Sequence, residues 1–436
     1  MQPMLKGQID ELLSRSNAGD NVWWNQLASD GIPLIEPLPD SEEMRVTFLW
    51  RDPEGGDKSS KTVQVFIDIN GVTDHHSLTP EGLTRLNNTD VWYATFLLGS
   101  DWRGSYSFIP VTQQQLPAKP IQTAQEQREW WCSLFPLSIA DPLNALRPHR
   151  NSRGMALSAV HLPKALDQSV WQSVDRGEFH EDAFLYNSPR VHTLTWRSDR
   201  LGRSRTVWLW LPEQIPDSPL PLVILLDGRN WARNMPIFPV LEAETTAGKL
   251  PTAAWLLVDA IDDAIRSEEL PCHADFWLAL QDELLPQLSA YAEVTNDPSQ
   301  TVVAGQSYGG LSALYAGLFW PERFGCVLTQ SGSFWWPNLR LISDFAQREK
   351  HEPGWLVQQV PLRRTPTPLR IFQEAGKREA DIHFVNQQMY QALCNAGHEV
   401  NYRVYHGGHD GLCWRGGVID GVRWLLASVR NTTPSL

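Results

Sequence analysis

The stretch Val302-Val303-Ala304-Gly305-Gln306-Ser307-Tyr308-Gly309-Gly310 constrains the fold of this chain more than any other. It reads as a short buried strand, then Gly-x-Ser-x-Gly, then the small-residue opening of a helix over 309–319. A serine at the apex of so tight a strand-to-helix turn needs glycine on both sides, because β-carbons there would clash. The pattern predicts that Ser307 presents its hydroxyl above the carboxyl end of a sheet, near the positive end of the following helix. The plainer alternative is a glycine-rich turn whose serine only caps that helix.

A chain of 436 residues is too long for one ordinary core, so two domains are expected. The net charge of −13 argues against general nucleic-acid or anionic-membrane binding. No apolar run approaches a membrane span, and residues 1–20 hold no signal-like apolar core, so a cytoplasmic location is expected. Cys132, Cys272, Cys326, Cys394 and Cys413 are scattered, with no Cys-x-x-Cys spacing, which points to free thiols. The 20 tryptophans are several times the usual share; most are expected in the core, but so many permit an aromatic-lined site.

Residues 8–27 read as an amphipathic helical lead-in. From Met44 onward, alternating apolar runs at 45–51, 62–69, 91–98 and 105–110 are separated by turn residues such as Asn70-Gly71 and Asn87-Asn88. Short strands so spaced predict an antiparallel β-sandwich. His75 and His76 follow Asp74 without a third ligand, and a structural role is expected for them. Residues 113–163 lack periodicity and read as a partly ordered connection. The basic cluster Arg147, His149, Arg150 and Arg153 lies within it, either as a solvated linker or as a mobile flap carrying positive charge. The expected domains are 1–165, a β-sandwich with its linker, and 166–436.

In the second domain, runs at 191–196 and 206–211 predict an edge hairpin. Apolar strands at 222–226, 255–258, 301–304, 326–329, 369–372 and 400–404 alternate with helical stretches at 275–291, 309–319, 382–396 and 418–429. Such alternation predicts a mainly parallel sheet flanked by helices, the α/β-hydrolase fold class.

Serine needs a base to take its proton. In this fold the chain order is serine, acid, histidine. His409 follows the last strand in Gly407-Gly408-His409-Asp410 and is preferred over His406, which precedes the flexible pair. The loop after 369–372 carries three carboxylates. Glu379 is preferred as the acid, and Asp381, expected to open the next helix, and Glu374, expected in the strand beside an arginine, are the alternatives. Oxyanion donors are expected at the backbone amides of Tyr308 and Arg229. No metal site, phosphate loop or dinucleotide fingerprint competes with this assembly.

Longer strings then resemble the enterobactin (enterochelin) esterase family, in the esterase-D-like branch of the α/β-hydrolases. They include Trp50-Arg51-Asp52-Pro53, Gly71-Val72-Thr73-Asp74-His75-His76, Trp102-Arg103-Gly104-Ser105-Tyr106, Leu226-Asp227-Gly228, Ala274-Asp275-Phe276-Trp277 and Gly407-Gly408-His409-Asp410 through Gly417. The resemblance spans both domains. It implies hydrolysis of a cyclic trilactone of 2,3-dihydroxybenzoylserine, chiefly as its ferric complex, in the cytoplasm after import. It also implies a substrate-assisting N-terminal sandwich, and maps nucleophile, base and acid onto Ser307, His409 and Glu379. No cofactor is expected, since iron arrives within the substrate. The alternatives are an esterase for glucosylated siderophores or other aryl esters, and a non-catalytic siderophore-binding protein. A ferric tris-catecholate is anionic, so an acidic protein must gather positive charge locally. Arg147, Arg150, Arg153, Arg229, Arg266, Lys377 and Arg378 are the candidates, with Trp231, Trp335 and Trp336 to flank catechol rings.

Overall fold

The computed structural model describes residues 7–74, 77–179, 185, 187–363 and 365–427. His75 and His76, and residues 428–429 of the last expected helix, lie outside them. The chain divides into two compact units. The first comprises Met1–Asp167, Gln172–Glu178 and His406–Cys413, and the second Gln168–Trp171, Phe179–Tyr405 and Trp414–Leu436.

The first unit holds eight strands: β1 (Leu34–Pro37), β2 (Glu43–Arg51), β3 (Thr62–Ile69), β4 (Thr84–Arg85), β5 (Val91–Gly99), β6 (Arg103–Thr112), β7 (His149–Arg150) and β8 (Ala156–His161). They form two four-stranded antiparallel sheets, β1-β2-β5-β4 and β3-β6-β8-β7. Alternation along each strand decides what faces what. Val46, Phe48 and Trp50 of β2 meet Val65, Ile67 and Ile69 of β3 and Tyr106 and Phe108 of β6 in the core of a sandwich. The outward-facing residues are also buried. Leu49 and Val91 are covered by Trp23, Trp24 and Leu27 of the helix Asn21–Asp30, and Phe66, Ile109 and Val111 by Trp131 and Leu134. Trp23, Trp24 and Trp131 are therefore plugs on the outer faces of the sheets.

Two expectations are corrected here. The lead-in is two helices, Gln8–Leu13 and Asn21–Asp30, the second capped by the Asp20 carboxylate, which accepts from Trp23 N at 2.8 Å. Residues 113–163 are not a linker. They contain the helix Ala124–Leu134, opened by a Thr123/Glu126 capping box, and the strands β7 and β8. Polar faces hid the helix, and partners distant in sequence recruit β8 to the sheet at β6.

The second unit holds β9 (Val191–Ser198), β10 (Arg203–Trp210), β11 (Leu222–Leu226), β12 (Ala254–Val258), β13 (Thr301–Gln306), β14 (Cys326–Gln330), β15 (Arg370–Gly376) and β16 (Glu399–Tyr405). One eight-stranded sheet runs β16-β15-β14-β13-β11-β12-β10-β9. β11 to β16 are joined by parallel pairings, while β9 and β10 form an antiparallel hairpin that pairs with β12. Every residue of β11, β12, β13 and β14 is buried, as strands covered on both faces require. The sequence reading of an α/β-hydrolase fold behind an antiparallel sandwich therefore holds.

The expected helix at 275–291 is instead Ala274–Ala279, a π turn at Leu280–Leu284 and a 3-10 segment at Leu285–Ala290. Pro286 has no N–H to continue the regular ladder. The last helix is Gly411–Leu425, starting seven residues before the expected 418. Gly416 and Gly417 made its first turns read as loop. A β-carbon at Gly417 would run into the Glu374 carboxylate, so close helix-to-sheet packing is what the glycine permits. Among the described residues, no helix is long and apolar enough to cross a membrane.

Candidate active site

Ser307 stands between β13 and the helix Tyr308–Phe319 with φ 56° and ψ −120°. A side-chain-bearing residue in such a conformation costs about 1–3 kcal/mol and persists only where its surroundings dictate it. Ser307 N donates to Gln330 O at 3.0 Å, and Ser307 O accepts from Leu311 N at 3.0 Å and Ser333 N at 3.1 Å. A β-carbon at Gly305 would lie 2.3 Å from Gly309 O. Gly305→Ala is therefore expected to push the turn apart, destabilising the protein by about 1–3 kcal/mol in denaturant unfolding and removing any chemistry that depends on the placement of Ser307.

Below the turn lies a ladder of polar side chains. Gln306, Gln330, Glu374 and Arg403 occupy equivalent registers on β13, β14, β15 and β16. Trp231 Nε1 donates to Gln306 Oε1 at 3.1 Å, which fixes the amide and leaves Gln306 Nε2 to donate to Gln330 Oε1 at 2.9 Å. Gln330 Nε2 then donates to Glu374, whose other oxygen accepts from Arg403. Each amide is oriented by the one before it, so the chain of bonds runs one way. Burial pushes the Glu374 carboxyl above its ordinary range, while Arg403 and Gln330 pull it back.

These contacts place Glu374 in the strand beside an arginine. Trp231 is corrected: its ring is wholly buried and its N–H is committed to Gln306, so it has no face to offer a catechol. Arg266 grips Asp227 through two bonds of 2.7 and 2.8 Å, reaches Gln306 O at 3.3 Å and lies 5.8 Å from the Tyr308 ring centroid. Burial would lower its guanidinium, but the Asp227 carboxylate more than reverses that, so the arginine stays charged.

Glu379 directly precedes the helix Ala380–Asn395 and is buried. Its Oε1 accepts from Tyr405 Oη at 2.6 Å and from Ser331 Oγ at 2.8 Å. Trp414 Nε1 lies 2.9 Å from both hydroxyl oxygens and donates to them, which leaves their protons for the carboxylate. Asp381 falls in the first turn of the same helix, where it accepts from Ile382 N. Lys377 and Arg378 are exposed on this loop.

Trp335 faces Tyr308 with ring centroids 5.8 Å apart, whereas Trp336 packs edge-on against Trp355. The Arg229 guanidinium pairs with Asp259 at 2.6 Å. All of these belong to the second unit. Arg147, Arg150 and Arg153 belong to the first, at or beside the β7–β8 hairpin, with Arg150 Nη1 donating to Gly154 O at 2.8 Å. His409 and His406 also belong to the first unit, and His406 Nδ1 sits 2.6 Å from Asp101 Oδ1. Among the described residues, no three His, Cys, Asp or Glu side chains gather as a metal site.

Sequence reasoning missed Ser331, Tyr405 and Trp414 around Glu379. It also missed the ladder, although its signal was readable as a polar residue near the end of β13, β14 and β15 and an arginine on the neighbouring β16.

Residues 45–171 match the family "Enterochelin esterase, N-terminal" and residues 198–425 the family "Putative esterase". The iron(III) enterobactin esterase of Dickeya dadantii (strain 3937) is 55% identical over 427 residues, 96% of each chain. The iron(III) salmochelin esterase of Escherichia coli O6:H1 is 32% identical over 409 residues, 92% of this chain and 93% of that one. Among solved structures, the ferric enterobactin esterase from Salmonella typhimurium has 43% identity and a TM-score of 0.81, covering 93% of this chain and 98% of that one. The Shigella flexneri enterobactin esterase in the presence of enterobactin has 41% identity and a TM-score of 0.80 with the same coverage. By fold, by both family matches and by these near-full-length relatives, the chain belongs to the enterobactin esterase family.

Proposed function

We propose that this chain is a serine esterase that opens and cuts the trilactone of enterobactin, free and as its ferric complex, into dihydroxybenzoylserine units. One observation carries the reading: a strained serine on a nucleophile elbow, in a chain similar over 96% of its length to an iron(III) enterobactin esterase. Ser307 Oγ attacks an ester carbonyl while His409 takes its proton. The Tyr308 and Arg229 amides receive the developing oxyanion. Collapse expels the neighbouring seryl hydroxyl, protonated by His409, and leaves an acyl-enzyme on Ser307. Water, deprotonated by the same imidazole, then releases the acid. Glu379 orients the imidazole and stabilises its charged form.

The first domain, 1–165, assists substrate binding and the second, 166–436, carries the nucleophile. Arg147, Arg150, Arg153, Arg229, Arg266, Lys377 and Arg378 supply positive charge for the anionic complex, and Trp335 and Trp336 the aromatic surface. No cofactor is needed, since iron is part of the substrate. The enzyme acts in the cytoplasm, where cutting the hexadentate ligand loosens its iron. The greater identity to the enterobactin esterase than to the salmochelin esterase, 55% against 32%, favours the unglucosylated substrate.

Incubation with ferric and iron-free enterobactin, followed by mass spectrometry, is expected to show linear trimer, dimer and monomer. Tight binding without hydrolysis would overturn the assignment.

A further inference from the structure

The segment bearing His409 meets residues of the β-sandwich at His406, Gly408, His409 and Asp410. Arg103 N donates to His406 O at 3.0 Å, and Asp101 holds the His406 ring. Gly408 lies so close to the turn after β3 that a β-carbon there would stand 2.1 Å from Asn70 Oδ1 and 2.9 Å from Gly71 Cα. Asn70 Nδ2 donates to the carbonyl of His409 itself at 3.0 Å. Asp410, only 5% exposed, accepts from Ser105 N at 2.7 Å and from Ser105 Oγ at 2.8 Å. The same carboxylate accepts from Leu412 N at 3.0 Å, so one buried side chain ties sandwich, histidine loop and the start of the last helix together.

We infer that the N-terminal sandwich is a positioning element for the catalytic base, acting through Asn70 and Ser105, and does more than help bind siderophore. The inference rests on His409 being the base. A domain that served only to hold substrate would need no bonds to the backbone flanking a histidine of the hydrolytic centre. Here the backbone at His409 and the side chain of its neighbour are both set by sandwich residues. Two glycines before His409 leave the loop little stiffness of its own. The sandwich supplies that stiffness.

The two roles separate on a substrate too small to need the siderophore site. Asn70→Ala and Ser105→Ala are to be assayed with p-nitrophenyl acetate and with ferric enterobactin. Asn70→Ala removes a solvent-exposed bond and no core atom, so it tests the proposal even if Ser105→Ala folds poorly. For folded variants, kcat is expected to fall by about 10- to 100-fold on both substrates, as a misplaced catalytic group requires, with KM for ferric enterobactin unchanged. The rate at which a fluorophosphonate labels Ser307 should fall in parallel. Unchanged turnover of the small ester, or a rise in KM alone, would overturn the inference and leave the sandwich a substrate-binding domain. Retention of small-ester turnover by His409→Ala would instead overturn the reading of His409 as base, and the positioning role with it.

Discussion

Replacing Ser307 with alanine is expected to lower turnover of ferric enterobactin by a factor on the order of 10⁴–10⁶, while the complex still binds. The substitution removes one oxygen and little else. Alanine carries a β-carbon at the same left-handed backbone, and the bonds fixing that backbone run through main-chain atoms of Gln330, Leu311 and Ser333. Folding should therefore be preserved, which thermal melting checks. Binding, followed by quenching of tryptophan fluorescence, should remain within a few-fold of wild type, because ground-state contacts survive. One outcome would redirect the assignment. Ser333 Oγ stands 3.3 Å from Ser307 Oγ, so substantial residual hydrolysis that vanishes on adding Ser333→Ala would move the nucleophile there.

Glu379→Gln is expected to cost on the order of 10³–10⁴ in kcat, the scale seen when a buried orienting acid becomes its amide. The amide oxygen can still accept from Tyr405 and Ser331, so the side chain keeps its place and stability changes little. On the proposed triad, what would be lost is the charge that stabilises an imidazolium and the acceptor that selects its tautomer. Glu374→Gln makes the informative contrast. It breaks a buried pair with Arg403, so it should lower stability by about 1–3 kcal/mol while leaving most of the turnover. The reverse ranking in steady-state kinetics would transfer the acid to Glu374.

Strands wrapped on both faces announce themselves as short apolar runs, and the glycines around Ser307 mark a turn that tolerates little else. For that reason β11, β13, β14 and the elbow were legible almost to the residue. The segment 113–163 was not, because Gln127 and Asp141 are buried polar groups and β8 is built into its sheet between β7 and the distant β6. A linear reading sees polarity there and concludes solvent. Around Glu379 the same limit applies. Its position was selected from a glycine and a loop, but Ser331, Tyr405 and Trp414 come from three separated segments that only the folded sheet assembles. Trp231 misled for the opposite reason, since an aromatic near a presumed site is as easily its floor as its wall.

The backbone at Ser307 also has a bearing on how such genes decay. A side chain at φ 56° is a standing stability penalty, and glycine would relieve it. If Ser307 is the nucleophile proposed above, a lineage released from selection for turnover would gain stability by exchanging it for glycine. Relatives that keep the sandwich and sheet but carry glycine at this apex are expected to be more stable and to lack esterase turnover.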